Sequence, residues 1–240
     1  MSEERLTLLE HLFEVRSRLV RCVLMFAVAS LVCNLRMDEW FGTLAAPAKG
    51  HLVYVHPLSA MLASMNLSFL AGFLITLPYL LYHVHAFFSP ALSSAWRKTL
   101  AWGMAFACGL FALGVFFAWK TLPYAMDFLL SYSRPGLVAM IDVDHYLNFV
   151  GWITVGCGLA FEAPLVFYIL ARGGLVESRT LVRHWRWAVL ASVVVGALIC
   201  PTPDFLTWGL VCLALFGVYL ASILVTLGAE RARKAKPAVS

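Results

Sequence analysis

Long apolar runs separated by short polar ones dominate the chain. Six stretches, roughly 19–35, 64–88, 99–120, 146–171, 187–200 and 205–227, carry almost no charge, and most have the length of about 20 residues that a helix needs to cross a hydrocarbon core. Nowhere is the period-two alternation of a membrane β-strand sustained. The pattern predicts an all-α, polytopic membrane protein with six transmembrane helices. The fifth stretch is short for a core of about 30 Å at about 1.5 Å per residue, and the sixth follows almost at once at Phe205. This pair is expected to thin the bilayer locally or to lie shielded by its neighbours.

Polar periodicity divides the remainder. Over residues 4–18, Leu6, Leu9, Leu12 and Phe13 fall on one side of a helical wheel and Thr7, Glu10, His11, Glu14 and Arg18 on the other, as in an amphipathic helix lying at a membrane surface. Residues 1–18 therefore read as a cytoplasmic amphipathic segment, 19–227 as the membrane domain and 228–240 as a basic tail. Glu14 is either open to a basic ligand or simply paired with Arg18 at i,i+4. Two longer polar segments, about 36–63 and 121–145, have room for short capping helices. Pro201-Thr202-Pro203-Asp204 reads as a rigid turn in which Asp204 caps the sixth span.

Composition and charge sharpen this picture. The chain is 62% hydrophobic and 13% charged, with a mean hydropathy of +0.83, far from a soluble domain. With the N-terminus inside, 14 of the 18 Lys and Arg residues fall on the cytoplasmic side, so the positive-inside rule puts both termini in the cytoplasm. The basic balance thus reports topology, and no nucleic-acid partner is expected. No cleavable signal peptide is expected, and the first apolar segment is retained. The six cysteines show no CxxC pair and the seven histidines no HxxxH pair, so neither a metal nor another cofactor is expected. No nucleophile–base constellation or phosphate-cradling loop is visible, which argues against an enzyme.

One residue stands apart. Glu162 is the only acidic side chain inside an apolar run, where a carboxylate costs on the order of 3 kcal/mol by insertion scales and ordinarily marks function. Pro164, two residues on, removes a backbone hydrogen bond and frees the carbonyl of Ala160, so a bent fourth span is expected to open a recess beside the acid.

Taken in order, several motifs resemble the TatC family, the multi-spanning receptor subunit of the twin-arginine protein translocase. They are His11-Leu12-Phe13-Glu14-Val15-Arg16-Ser17-Arg18-Leu19, Tyr82 to Leu92 with Phe87 and Pro90-Ala91-Leu92, Leu122-Pro123-Tyr124-Ala125-Met126-Asp127-Phe128, Ala160-Phe161-Glu162-Ala163-Pro164, and Pro201-Thr202-Pro203-Asp204. The resemblance implies a curved helix wall with a concave polar recess in a bacterial inner (plasma) membrane. It further implies that Leu12, Glu14 and Arg16, with Phe87, Pro90, Trp96 and Arg97 of the first cytoplasmic loop, receive the signal peptides of folded precursors. Carboxylates pair with guanidinium groups in a planar, bidentate way that lysine copies poorly. By the same resemblance Glu162 faces the recess and attracts single-span translocase subunits or the inserting signal peptide, within a hetero-oligomer of several copies powered by the proton-motive force. Pro47, Pro123 and Asp204 also match, and turn and cap geometry accounts for them.

The chain departs from the family twice. Trp96 stands where many members carry a glutamate before the basic pair Arg97-Lys98, and it offers an arginine a cation–π contact of about 0.5–2 kcal/mol instead. Trp208 stands where many carry an amide early in the sixth span, leaving Thr207 as the nearest polar group. The principal rival is a proton-coupled small-molecule transporter that uses Glu162. A second rival is a membrane scaffold in which Glu162 only fixes helix packing.

Overall fold

A computed structural model describes residues 8–48, 50–88, 96–133, 140–200 and 205–234. Nine α-helices lie among them: α1 (Leu8–Asn34), α2 (Met37–Ala45), α3 (Ser59–Phe88), α4 (Trp96–Ser131), α5 (Val143–Phe161), α6 (Ala163–Arg172), α7 (Ser178–Arg183), α8 (Trp185–Ile199) and α9 (Phe205–Lys234). Two short strands, β1 (Leu52–Val53) and β2 (Ile141–Asp142), pair in parallel, Leu52 opposite Ile141 and Val53 opposite Asp142. Helix is the expected solution, because a backbone in hydrocarbon must satisfy its own polar groups.

Four stretches are long and apolar enough to cross a bilayer: Ser59–His83, Gly103–Ser131, Val143–Arg172 and Phe205–Arg231. A fifth candidate is the pair formed by Val15–Asn34 and Met37–Ala48, bent by 81°. The exposed ion pair between Arg36 and Glu39, 3.2 Å apart, lies at that bend. α8 has only 15 residues, about 22 Å.

Two boundaries differ from the sequence reading. α1 is unbroken from Leu8, so the amphipathic segment and the first apolar run share one helix. α4 continues through Lys120 and Pro123 to Ser131, and Pro123 is an interior residue of a 36-residue helix where a turn is expected from sequence. Proline there forfeits only its own bond to the carbonyl four residues back, a loss that membrane helices accommodate, and the apolar pattern carries the helix past it. Pro47 does sit in a turn, the buried 3₁₀ segment Ala46–Ala48. Asp204 lies outside the described residues.

The chain divides into two compact units, the first made of 1–43 and 61–108, the second of 44–60 and 109–240. In the first, α1 and α3 run antiparallel with their backbones close together. A methyl group on Gly72 would lie 2.8 Å from the Ser30 Cα, Phe26 meets Phe69 at 6.0 Å, and Asn34 Nδ2 donates to Ser68 Oγ at 2.9 Å.

In the second unit, α9 packs most extensively against α6 and forms a hairpin with α8. Gly114 of α4 faces the backbone of α5, where a Cβ would lie 2.6 Å from the Cys157 carbonyl oxygen. Side chains tie together the segment around Leu44 and Ser59 and the start of α5. The Tyr146 hydroxyl donates to the Leu44 carbonyl at 2.6 Å, and Ser59 Oγ donates to Asp142 Oδ2 at 3.3 Å. Burial pushes the Asp142 carboxyl pKa up, but hydrogen bonds from His145, Ser59 and the backbone of Asp144 outweigh it and hold the carboxyl below its ordinary value.

Two predictions follow from this packing. Gly114→Val forces backbone apart and is expected to cost about 1–3 kcal/mol as an overpacked contact, read as a lower melting temperature of the purified protein. Because the folded pKa of Asp142 lies below the unfolded one, its stabilisation is complete above the ordinary carboxylate pKa of about 3.9 and is lost as pH falls through the folded value. Asp142→Asn should therefore melt lower than wild type at pH 7, and the gap should narrow below about pH 4.

Candidate functional site

The residues singled out from sequence fall into two groups, one in each compact unit. In the first unit, Leu12, Glu14 and Arg16 lie on α1, Phe87 in the last turn of α3, and Trp96 and Arg97 in the first turn of α4. Arg16 is exposed, as is the neighbouring Phe13. Pro90 lies outside the described residues.

Glu162 anchors the second group. It is the single residue between α5 and α6, where its N–H bonds the Leu159 carbonyl at 3.1 Å in a tightened turn and its carbonyl accepts from Leu165 and Val166. Pro164 in the first turn of α6 explains the break: with no N–H it cannot continue the ladder, while its fixed φ suits a helix start. The side chain is buried at 8% exposure. Oε1 is enclosed and has no hydrogen-bond partner among the described residues. A carboxylate in this setting adds no net stability to the fold, because the desolvation of its charged form is left unmatched.

Thr207 and Trp208 sit in the first turn of α9. Thr207 is wholly buried within its own chain. Trp208 is half-buried, its Nε1 has no partner among the described residues, and a Cβ on Gly196 of α8 would lie 3.7 Å from it. Trp208 therefore belongs to the contact between α8 and α9. Beside the Glu162 break, Ala160 and Ala163 border an apolar groove of about 580 Å³ between α6 and α8, with α9 as its floor. Glu162 is not part of its lining.

Sequence reasoning missed the tie that holds the segment between α6 and α8. Glu230, near the end of α9, accepts from both the backbone N–H and the hydroxyl of Ser178 and so caps α7. The Tyr219 hydroxyl donates to the Leu181 carbonyl. A signal for the first contact is present in the sequence, since Glu230 is the only acid in the basic tail.

These features define a polytopic α-helical membrane protein with an unmatched carboxylate at a break in one span. Residues 10–213 match the family of Sec-independent protein translocase proteins (TatC). The TatC protein of Deinococcus radiodurans is 31% identical over 232 residues, covering 91% of this chain and 85% of that protein. That of Xylanimonas cellulosilytica is 31% identical over 248 residues, covering 99% and 90%. A crystal structure of the twin arginine translocase receptor TatC superposes with a TM-score of 0.80 at 31% identity, covering 92% of this chain and all of that one. The chain belongs to the TatC family of protein translocase subunits, whose business is protein transport and not bond chemistry.

The unmatched acid gives a direct prediction. Glu162→Leu keeps a similar volume and removes a desolvated group, so it should change stability by no more than about 1 kcal/mol, against the roughly 3–5 kcal/mol lost when a buried ion pair is broken. Thermal unfolding of the purified variant measures this. A loss in the larger range would mean that the acid holds the helices together.

Proposed function

We propose that this protein is the signal-peptide receptor and core subunit of a twin-arginine export system. The observation that carries this reading is the chain-long match, in sequence and in fold, to the solved twin arginine translocase receptor. Leu12, Glu14 and Arg16 on α1, with Phe87, Pro90, Trp96 and Arg97, receive the signal peptide. Glu14 and Glu10 supply the carboxylates for the paired arginines, and Trp96 replaces the missing glutamate with a ring face.

In this reading the membrane domain has six spans with both termini in the cytoplasm of a bacterial inner membrane. The twenty residues from Val15 to Asn34 reach about 30 Å, a full hydrocarbon core, and α8 is a short fifth span beside α9. The basic residues of the termini and of the α6–α8 connection favour that orientation. Residues 1–18 lead into the membrane domain of 19–227, followed by the basic tail of 228–240.

Glu162 is held for a visitor: a polar group of a single-span partner subunit or of the inserting signal peptide completes the carboxylate that the chain leaves unmatched. Trp208 shapes the neighbouring wall by fixing α9 against α8. The proton-motive force drives the cycle, at about 2.3 kcal/mol per charge for each 100 mV, and several copies assemble with the partner subunits.

Site-specific photocrosslinking in membranes tests this reading, with a probe at Leu12 or Ala95 and a precursor carrying Arg-Arg or Lys-Lys in its signal peptide. Crosslinking should be strong with Arg-Arg, lost with Lys-Lys and weakened by Glu14→Ala. No crosslink to either precursor, with the protein shown to be folded, would contradict the receptor reading and favour a transporter built around Glu162.

A further inference from the structure

The groove between α6 and α8 is closed at one end and open along its side. Ala163 and Phe167 form one wall, Ala188 and Ala191 the other, and Leu215 and Val218 the floor. Thr180 and His184 close the end, on the segment that Glu230 and Tyr219 clamp to α9. Away from this tip the lining is apolar except for Ser192 and Tyr219, whose hydroxyls donate to the Ala188 and Leu181 carbonyls.

Charge is concentrated at that tip. The segment from Arg172 to Trp187 holds four arginines and one glutamate. Arg179, Arg183 and Arg186 are all exposed, and among the described residues no carboxylate lies within salt-bridge distance of them. Arg183 is three residues beyond Thr180 and so shares its helix face. Arg186 stacks over the Trp185 ring at 5.9 Å. His184 Nδ1 lies 2.7 Å from the Thr180 carbonyl oxygen and donates to it, which leaves Nε2 free to face a ligand. Trp185 and Trp187 are 51% and 69% exposed, and exposed tryptophans of a membrane protein settle at headgroup depth. Apolar groove, aromatic ring and arginine cluster thus follow one another in the order of acyl chain, glycerol and phosphate.

We infer that an anionic phospholipid binds here, with one acyl chain in the groove and its phosphate on Arg183 and Arg186. An acyl chain is slim and flexible and follows an apolar groove that is open along its side, whereas an apolar partner helix seated there would leave Arg183 and Arg186 without an anion. Basic pockets between membrane helices are known to take lipid headgroups in this way. Assigning the lipid to the cytoplasmic leaflet rests on the topology proposed above; the site itself does not.

Native mass spectrometry of the detergent-purified full chain with equimolar phosphatidylglycerol and phosphatidylcholine tests the inference. Phosphatidylglycerol should be retained about five-fold or more over phosphatidylcholine, the order expected for even one arginine near a headgroup. The double variant Arg183→Gln/Arg186→Gln should bring the ratio near one, and Ala191→Phe should reduce retention of both lipids. Excess glycerol phosphate should not displace the lipid. Equal retention by wild type, a ratio indifferent to the double variant, or displacement by glycerol phosphate would overturn the inference. A photocrosslinker at Ala191 in native membranes supplies a second readout. An adduct with the mass of a phospholipid supports the site, and an adduct with a single-span polypeptide or a second copy of the chain overturns it. The mass-spectrometric experiment contains no precursor, so failure of the receptor reading would leave its outcome intact.

Discussion

A hydrocarbon interior has no water with which to satisfy a polar group, and this constraint orders the rest of the structure. It makes helix the only economical backbone, since each segment then satisfies its own amides. It also makes any interruption conspicuous. The break at Glu162 concentrates two such departures in three residues, a proline that cannot donate and a carboxylate whose Oε1 is enclosed without a partner among the described residues. Pro164 is buried and starts α6, whereas the enclosed oxygen of Glu162 gains nothing from the chain around it, and the proposed function gives it a ligand.

The other packing devices work in the opposite sense, returning buried hydroxyls to the backbone and bringing helices together. Buried hydroxyls return their protons to the preceding turn, as Thr76 does to the Gly72 carbonyl at 2.8 Å and Ser222 to the Val218 carbonyl at 2.8 Å. Glycines at Gly72, Gly114 and Gly196 permit close contacts, the usual route to helix association where apolar surface gains nothing from leaving lipid. Outside the hydrocarbon, longer-range ties take over: Asp142 with Ser59, Tyr146 with Leu44, and Glu230 with Ser178. Asp142 Oδ1 is also buried without a partner, but it lies at a helix end with Oδ2 bonded, whereas Glu162 Oε1 lies inside the stretch Val143–Arg172.

Much of this was legible in the sequence. The apolar runs locate α8 at both ends and α9 at its start, although α9 continues past 227 to Lys234, and the Glu162–Pro164 pair announces the break in the fourth apolar run. What could not be read there depends on context. Pro123 looks like a turn former, yet α4 carries on through it because one lost hydrogen bond is a small penalty beside a continuous apolar face. Thr207 reads as a polar group open to a partner, but the packing of α9 within the chain leaves it fully buried. The Tyr219–Leu181 and Ser178–Glu230 contacts join residues 38 and 52 positions apart, and local periodicity carries no information at that distance. Pro90 and Asp204 remain assignments made from sequence.

Cysteine capture at position 162 tests the central claim most directly. In a variant stripped of its native cysteines and carrying Glu162→Cys, single cysteines are scanned along a twin-arginine signal peptide and along the membrane helix of a single-span partner subunit, under mild oxidation in energised membranes. The account predicts a disulfide at a restricted set of positions in one of these ligands. Its absence from both, while export through the cysteine-free parent carrying the native Glu162 continues, would show that the carboxylate meets no visiting group.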